Sequence, residues 1–386
     1  MSKTKKIVFL TGTRADFGKL KSLVNITSQC QEFEVHLFVT GMHLQEATGY
    51  TVNEIVKSGF SNIYKFPNHT HESTMDLTLA KTIEGLSAFI NKHKVDLIVV
   101  HGDRVETLAG AIVGAMNNIL VGHIEGGEVS GTIDELIRHS VSKLSHIHFV
   151  ANEQAKSRLL QMGEHQNQIF VIGSPDVDIM FSDKLPSLET VLNYYDIPFK
   201  NYSILMFHPV TTEKDMATHA NNLVDAILED GGNYLVIRPN NDMGSAVINQ
   251  ALKRLENNQK FAIFPSLRFE YFLVLLNHSQ FIIGNSSAGV REAPLYGVTS
   301  IDIGNRQLNR VKAQSIIHTS YSKEDIRSSI IQAKEHHPKK VELFGKGNSD
   351  ALFLEILRGQ KLWTIECQKQ FFDRPLKEKT DVQKTK

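Results

Sequence analysis

Short, almost wholly apolar runs, each followed by a longer amphipathic stretch, constrain this chain more than any other feature. Ile7–Leu10 is continuous, and Asp96–Val100 and Ile119–Gly122 are nearly so. A strand with one wet face alternates apolar and polar residues. These runs do not, so both faces must be covered, as in a parallel sheet between helix layers. Glu34–Val39, His146–Val150 and Ile169–Ile172 supply further strands, and Phe17–Thr27, Glu106–Met116 and Ile133–Leu144 the helices between them. Ser174-Pro175, Pro186 and Pro198 then interrupt the pattern. It restarts with strands at Ser203–Phe207, Tyr234–Ile237, Phe261–Phe264, Phe281–Ile283 and Thr299–Ile303. The prediction is an α/β chain of two Rossmann-like domains with a cleft between them. The expected division is 1–180 and 200–360, with a hinge near 175–200. Residues 361–386, including a helix over Trp363–Phe372 and a charged tail, are expected to pack back on the first domain.

Composition narrows the function. The 386 residues suit two domains, and 42 basic against 42 acidic side chains leave no net charge. A dedicated nucleic-acid binder would carry a basic excess, so none is expected. Cys30 and Cys367 are too few for a disulfide framework or a cysteine zinc site. No apolar run reaches the roughly 18 residues of a membrane span, and the expectation is a cytoplasmic protein away from membranes.

In sheets of this kind ligands bind beyond the strand carboxyl ends, and chemistry-bearing residues gather there. The first strand runs into Thr11-Gly12-Thr13-Arg14-Ala15-Asp16-Phe17-Gly18-Lys19. Free N–H groups at the helix start, with Arg14 and Lys19, would suit an anion; a simple capped turn accounts for the pattern equally well. Strand Asp96–Val100 ends in His101-Gly102-Asp103-Arg104, and its neighbour in His123-Ile124-Glu125-Gly126-Gly127-Glu128. Asp103 and Glu125, at two successive strand ends, read as a functional pair rather than as two surface charges. Asp134 follows at the start of the next helix, where a carboxylate is also an ordinary helix-start residue. Carboxylates gathered in a cleft can divide acid and base roles. His146 and His148 share a strand face and could hold a metal, but hydrogen-bonded core histidines are the preferred reading, and no metal or other cofactor is expected.

In the second half, Ser203–Phe207 delivers His208 to its strand end, suited to a phosphate or a leaving oxygen. Arg238-Pro239-Asn240-Asn241 reads as a polar loop that could touch a sugar. Gly284-Asn285-Ser286-Ser287-Ala288-Gly289 then leads into a helix carrying Glu292. Such a small, polar corner favours the approach of a diphosphate, with Glu292 placed to accept from ribose hydroxyls.

Taken together these motifs resemble the UDP-N-acetylglucosamine 2-epimerase family, over about Lys6 to His318. Thr13-Arg14-Ala15-Asp16-Phe17-Gly18 and Glu128-Val129-Ser130-Gly131-Thr132-Ile133-Asp134 look like its hydrolysing branch, the bacterial enzymes of sialic-acid synthesis. The resemblance implies a glycosyltransferase-B-like fold and a UDP-sugar substrate. It also implies release of UDP and N-acetylmannosamine, and a homodimer or homotetramer. It assigns proton transfer to Asp103, Glu125 and Asp134, and help to the leaving group to His208. Arg14, Lys19, Ser286 and Ser287 would meet the diphosphate and Glu292 the ribose, with Arg104, Asn240 and Arg306 lining the pocket. The rivals are a non-hydrolysing epimerase, a hydrolysing enzyme for a di-N-acetylated nucleotide sugar, a glycosyltransferase and a non-catalytic nucleotide-sugar sensor.

Overall fold

Most of the apolar runs become strands buried on both faces. In the computed structural model, residues 4–46, 49–68, 74–130, 133–210, 213, 215–239, 244–307 and 311–373 are described. The first lobe runs β1 (Lys5–Thr11), α1 (Arg14–Ser28), β2 (Phe33–Val39), α2 (Val52–Lys57), β3 (Ile63–Lys65) and α3 (Met75–His93). It continues with β4 (Leu97–His101), α4 (Val105–Met116), β5 (Leu120–Ile124), α5 (Ile133–Leu144), β6 (Ile147–Val150), α6 (Glu153–Gln161) and β7 (Ile169–Val171). Helices α7 (Pro175–Met180) and α8 (Leu188–Tyr194) occupy the proline-punctuated stretch. The second lobe runs β8 (Ser203–Met206), α9 (Met216–Asp230), β9 (Tyr234–Ile237), α10 (Ser245–Leu252), β10 (Phe261–Phe264) and α11 (Phe269–Asn277). It closes with β11 (Phe281–Gly284), α12 (Glu292–Tyr296), β12 (Thr299–Ile303), β13 (Ile316–Thr319), α13 (Lys323–Glu335) and α14 (Ser349–Arg358).

The strand orders are β3-β2-β1-β4-β5-β6-β7 and β10-β9-β8-β11-β12-β13, with every neighbouring pair parallel. In both sheets the order reverses beside the first strand of the lobe, the place where such folds leave a crevice for ligands. The two Rossmann-like sheets anticipated from the alternation are present.

The end of the chain departs from expectation. A domain edge at 360 would leave α14 with the second lobe. Its Phe353 and Leu357 instead lie in the first lobe's core with Ile7, Phe9 and Phe149. Phe353 meets the Phe149 ring at 4.7 Å and the Phe9 ring at 6.1 Å. The expected helix over Trp363–Phe372 is also absent: a 3₁₀ turn at Gln360–Thr364 gives way to irregular chain through residue 373. That segment takes tertiary partners in place of helical ones. The Cys367 carbonyl accepts from His146 Nε2 at 3.0 Å. Lys369 Nζ donates to the carbonyls of Ser142, Lys143 and Ser145 at 3.1, 3.0 and 2.7 Å. It thereby caps the carboxyl end of α5, where a cation is favoured.

The chain passes between the lobes at two adjacent places. Gly173 and Gly345 abut there with φ of +86° and +112°. A Cβ on Gly345 would stand 2.8 Å from the Gly173 Cα, so neither position has room for a side chain.

Candidate functional site

The loops after β4 and β5 share one edge of the first sheet, because Val100 pairs with His123 and His101 with Ile124. Asp103 and Glu125 therefore emerge side by side, yet they take different partners. Asp103 forms an ion pair with Arg138 on α5, one turn beyond Asp134. Asp134 itself lies exposed on the first turn of that helix. Glu125 is buried and makes four contacts. Its Oε1 accepts from Arg291 Nη2 at 2.6 Å and from the Ser174 hydroxyl. Its Oε2 accepts from Lys19 Nζ and His101 Nε2, both at 3.0 Å. Burial opposes the charge on Glu125, but Arg291, Lys19 and His101 outweigh it and hold the carboxyl well below the usual range.

This cluster joins the two lobes. Arg291 Nη1 also donates to Glu128 at 2.6 Å, and Lys19 Nζ pairs with Asp176 at 2.7 Å. Glu292, the first residue of α12, is buried, and its Oε2 has no partner. Burial raises its pKa, and Asp176 raises it further. Arg291 and Glu128 line a cavity of about 370 Å³ together with Asn152, Arg158, Lys312 and Phe344.

On the second sheet, Asn285 organises the strand ends. Its Oδ1 accepts from the His208 backbone N–H at 2.7 Å, and its Nδ2 donates to the His208 carbonyl at 2.8 Å. Its own carbonyl accepts from Arg306 Nη1 at 3.0 Å and Gln307 Nε2 at 2.9 Å. His208 is thus held beside Arg306. Burial first and that guanidinium second push the His208 pKa down to about 4, so the ring is neutral at pH 7. Ser286 caps the short 3₁₀ turn Ser287–Gly289, its hydroxyl accepting from Ala288 N–H. Ser287 opens that turn and is half-buried.

Three expectations change. The turn read as a candidate anion cradle is filled by Asp16. One of its carboxylate oxygens accepts from Gly12 N–H at 2.9 Å, and the other from Thr13 N–H at 3.0 Å and the Thr11 hydroxyl at 2.5 Å. Arg14 turns to Glu54, with contacts of 3.1 and 2.5 Å, rather than into the cluster around Glu125. Arg104 stands half-exposed, 3.7 Å from Glu106 and 3.8 Å from the Met42 sulfur. Asn240 lies outside the described residues. His146 and His148 are buried and hydrogen-bonded, His146 to the Val121 N–H and the Cys367 carbonyl and His148 to Glu164. Among the described residues no group of metal-ligating side chains occurs.

Arg291, Asp176, Ser174 and Asn285 were not picked out from the sequence. Ser174-Pro175 reads as a break in the alternation; it opens α7, but the Ser174 hydroxyl makes no cap and donates to Glu125 instead. Arg291 carried one usable signal, a guanidinium two residues after the small, polar run that ends at Gly289.

Comparison with known proteins agrees with this architecture. The family model for UDP-N-acetylglucosamine 2-epimerase matches residues 26–358. A protein of Neisseria meningitidis serogroup B called UDP-N-acetylglucosamine 2-epimerase is 49% identical over 96% of this chain and 99% of its own. The Escherichia coli polysialic acid biosynthesis protein P7 is 33% identical over 83% of this chain and 84% of its own. A hydrolysing UDP-N,N'-diacetylbacillosamine 2-epimerase of Legionella pneumophila is 31% identical over 92% of this chain and 96% of its own. Among solved structures, the N. meningitidis UDP-GlcNAc 2-epimerase bound to UDP-GlcNAc aligns with a TM-score of 0.79 at 18% identity, over 91% of this chain and 99% of that one. At that identity the likeness speaks for the fold. With a family model covering most of its length and a close relative aligned nearly end to end, this chain belongs to the UDP-N-acetylglucosamine 2-epimerase family.

Proposed function

We propose that the protein is a hydrolysing UDP-N-acetylglucosamine 2-epimerase that releases UDP and N-acetylmannosamine for sialic-acid synthesis. The observation that carries this is the cross-lobe cluster. A carboxylate at a strand end of the first lobe, Glu125, is held by Arg291, which is the neighbour in sequence of Glu292 and close to Ser286 and Ser287. That arrangement suits a sugar at one end and a nucleotide at the other. The unpartnered Glu292 Oε2 suits a pair of ribose hydroxyls, because a buried acceptor without a donor is costly. The relatives named for sialic-acid chemistry and for hydrolysis support the branch.

The chemistry follows from the acidity of C2. That carbon bears an acetamido nitrogen and no carbonyl, so its proton is removed only as UDP leaves C1. The departing electrons go to the diphosphate, giving a 2-acetamidoglucal. Lys19, His208 and the start of the Ser287–Gly289 turn would stabilise the leaving anion. One carboxylate takes the C2 proton, another activates water for attack at C1, and an acid returns a proton to the opposite face of C2. Asp103, Glu125 and Asp134 divide these tasks. Closure of the lobes about the 175–200 connection would exclude water until elimination is complete.

An NMR time course with UDP-N-acetylglucosamine in heavy water tests the reading. The expected outcome is free UDP with N-acetylmannosamine carrying deuterium at C2. An intact UDP-N-acetylmannosamine would make the enzyme non-hydrolysing, and an unlabelled product would remove proton transfer from the mechanism. Turnover only of a di-N-acetylated nucleotide sugar would place it with its Legionella relative.

A further inference from the structure

We propose that Arg291 is a positioning residue that links nucleotide binding in the second lobe to the release of Glu125 in the first. The inference rests on the reading above, that Ser286, Ser287 and Glu292 hold the nucleotide and Glu125 moves a proton.

Glu125 is saturated as it stands. A carboxylate offers about four acceptor sites. Arg291 and Ser174 occupy Oε1, while Lys19 and His101 occupy Oε2. A general base needs an open lone pair facing the proton it removes. One donor must therefore leave before Glu125 can act.

Three of the four donors, Lys19, His101 and Ser174, come from the first lobe and the chain leaving it. Arg291 alone comes from the second lobe. Its backbone lies one residue before Glu292 and four after Ser287. Its guanidinium forks Glu125 and Glu128, each at 2.6 Å, and lies over the Phe344 ring with 4.8 Å to the centroid. Its Nε is buried and has no partner. A guanidinium forks a phosphate as readily as a carboxylate, and a diphosphate held at Ser286 and Ser287 would stand four to five residues before Arg291 on the same stretch of chain. Drawing Arg291 toward the phosphate opens Oε1. Without a nucleotide, Glu125 stays neutralised and unavailable.

Every ionisable group that faces Glu125 bears on the test. Lys19 comes from α1, His101 from β4 and His123 from β5. Glu128 comes from the same turn, Asp176 from α7, and Arg291 and Glu292 from the approach to and the start of α12. Removing Arg291 leaves burial, which disfavours the carboxylate, opposed only by the remaining donors Lys19, His101 and the Ser174 hydroxyl. Glu125 then protonates at higher pH, and the acidic limb of kcat/KM moves upward.

The experiment compares pH profiles of kcat/KM for the wild-type enzyme, Arg291→Gln and Arg291→Lys, with UDP affinity measured by calorimetry on each. Arg291→Gln should move the acidic limb to higher pH by more than the error of the fit and weaken UDP several-fold. Arg291→Lys keeps the charge but cannot fork both carboxylates, so it should shift the limb the same way by less. A limb that stays in place in Arg291→Gln overturns the proposal. If that variant does not fold, an unmoved limb in Arg291→Lys overturns it. Failure of the wild-type enzyme to turn over UDP-N-acetylglucosamine would strike the functional reading instead. The link would then be decided by UDP affinity across pH 5 to 8, which should be less pH-dependent in Arg291→Gln.

Discussion

Glu125 has a positive φ of +61°, a left-handed backbone that a side chain other than glycine adopts at a cost of roughly 1 kcal/mol. The fork of Arg291 and the contact with Lys19 overcome that cost and aim the carboxylate at the lobe boundary. Asp103 is held more simply, by Arg138 alone among the contacts described, and its side chain keeps 28% of its surface in solvent. Replacing either carboxylate with its amide keeps the shape and removes the proton transfer. Asp103→Asn and Glu125→Gln should each lower kcat by about 10²–10⁴-fold, with UDP affinity changed far less. Single-turnover kinetics beside UDP calorimetry makes the comparison, and near-normal turnover in either variant removes it from the mechanism. Both residues were legible in the sequence because each follows a buried strand by one or two positions. Their partners were not. That Arg291 reaches Glu125 depends on how the lobes face each other, and its local sequence does not encode that.

The start of α1 shows how an element can be read correctly and its purpose misread. Thr13 caps the helix through a capping box with Asp16, and the same carboxylate gathers the Gly12 and Thr13 N–H groups. The donors that suggested an anion site are thus satisfied from within the chain. Asp16 stays ionised although buried. Burial opposes its charge, but His43, the Thr11 hydroxyl and the Gly12 N–H hold its pKa below the usual carboxylate value. Asp16→Ala leaves these buried donors unpaired, so it should cost about 2 kcal/mol or more, seen as a lowered urea midpoint with an unchanged slope. A loss below about 0.5 kcal/mol would mean that water replaces the carboxylate without penalty. Elements with strong periodicity, such as α5 and β4, were plain in the sequence. The three-residue edge strand β3 was not, because so short a strand has no period to detect. The expected helix over Trp363–Phe372 failed for the opposite reason: a pattern compatible with a helix yields to tertiary partners that bind its backbone and Lys369.

At the scale of the molecule, two lobes and a cleft followed from the interrupted alternation, but the route of the chain's end did not. Packing of α14 against the first sheet is a choice among apolar surfaces, and Phe353 and Leu357 would suit either. The structure commits them to Phe9 and Phe149. Phe353→Ala should cost about 3–5 kcal/mol and should lower hydrogen-exchange protection in β1 and β6 more than in β8 and β11. Equal loss in both sheets would mean that the lobes unfold as one unit.

The path of α14 has a consequence for how the polypeptide matures. A ribosome releases residues in order, and domains generally fold as they emerge. Here the amino-terminal sheet waits for a helix translated after every strand of both sheets, with a patch of its apolar surface still bare. The carboxyl-terminal sheet has all its strands by residue 319 and can settle first, so the half synthesised earliest is the half finished latest.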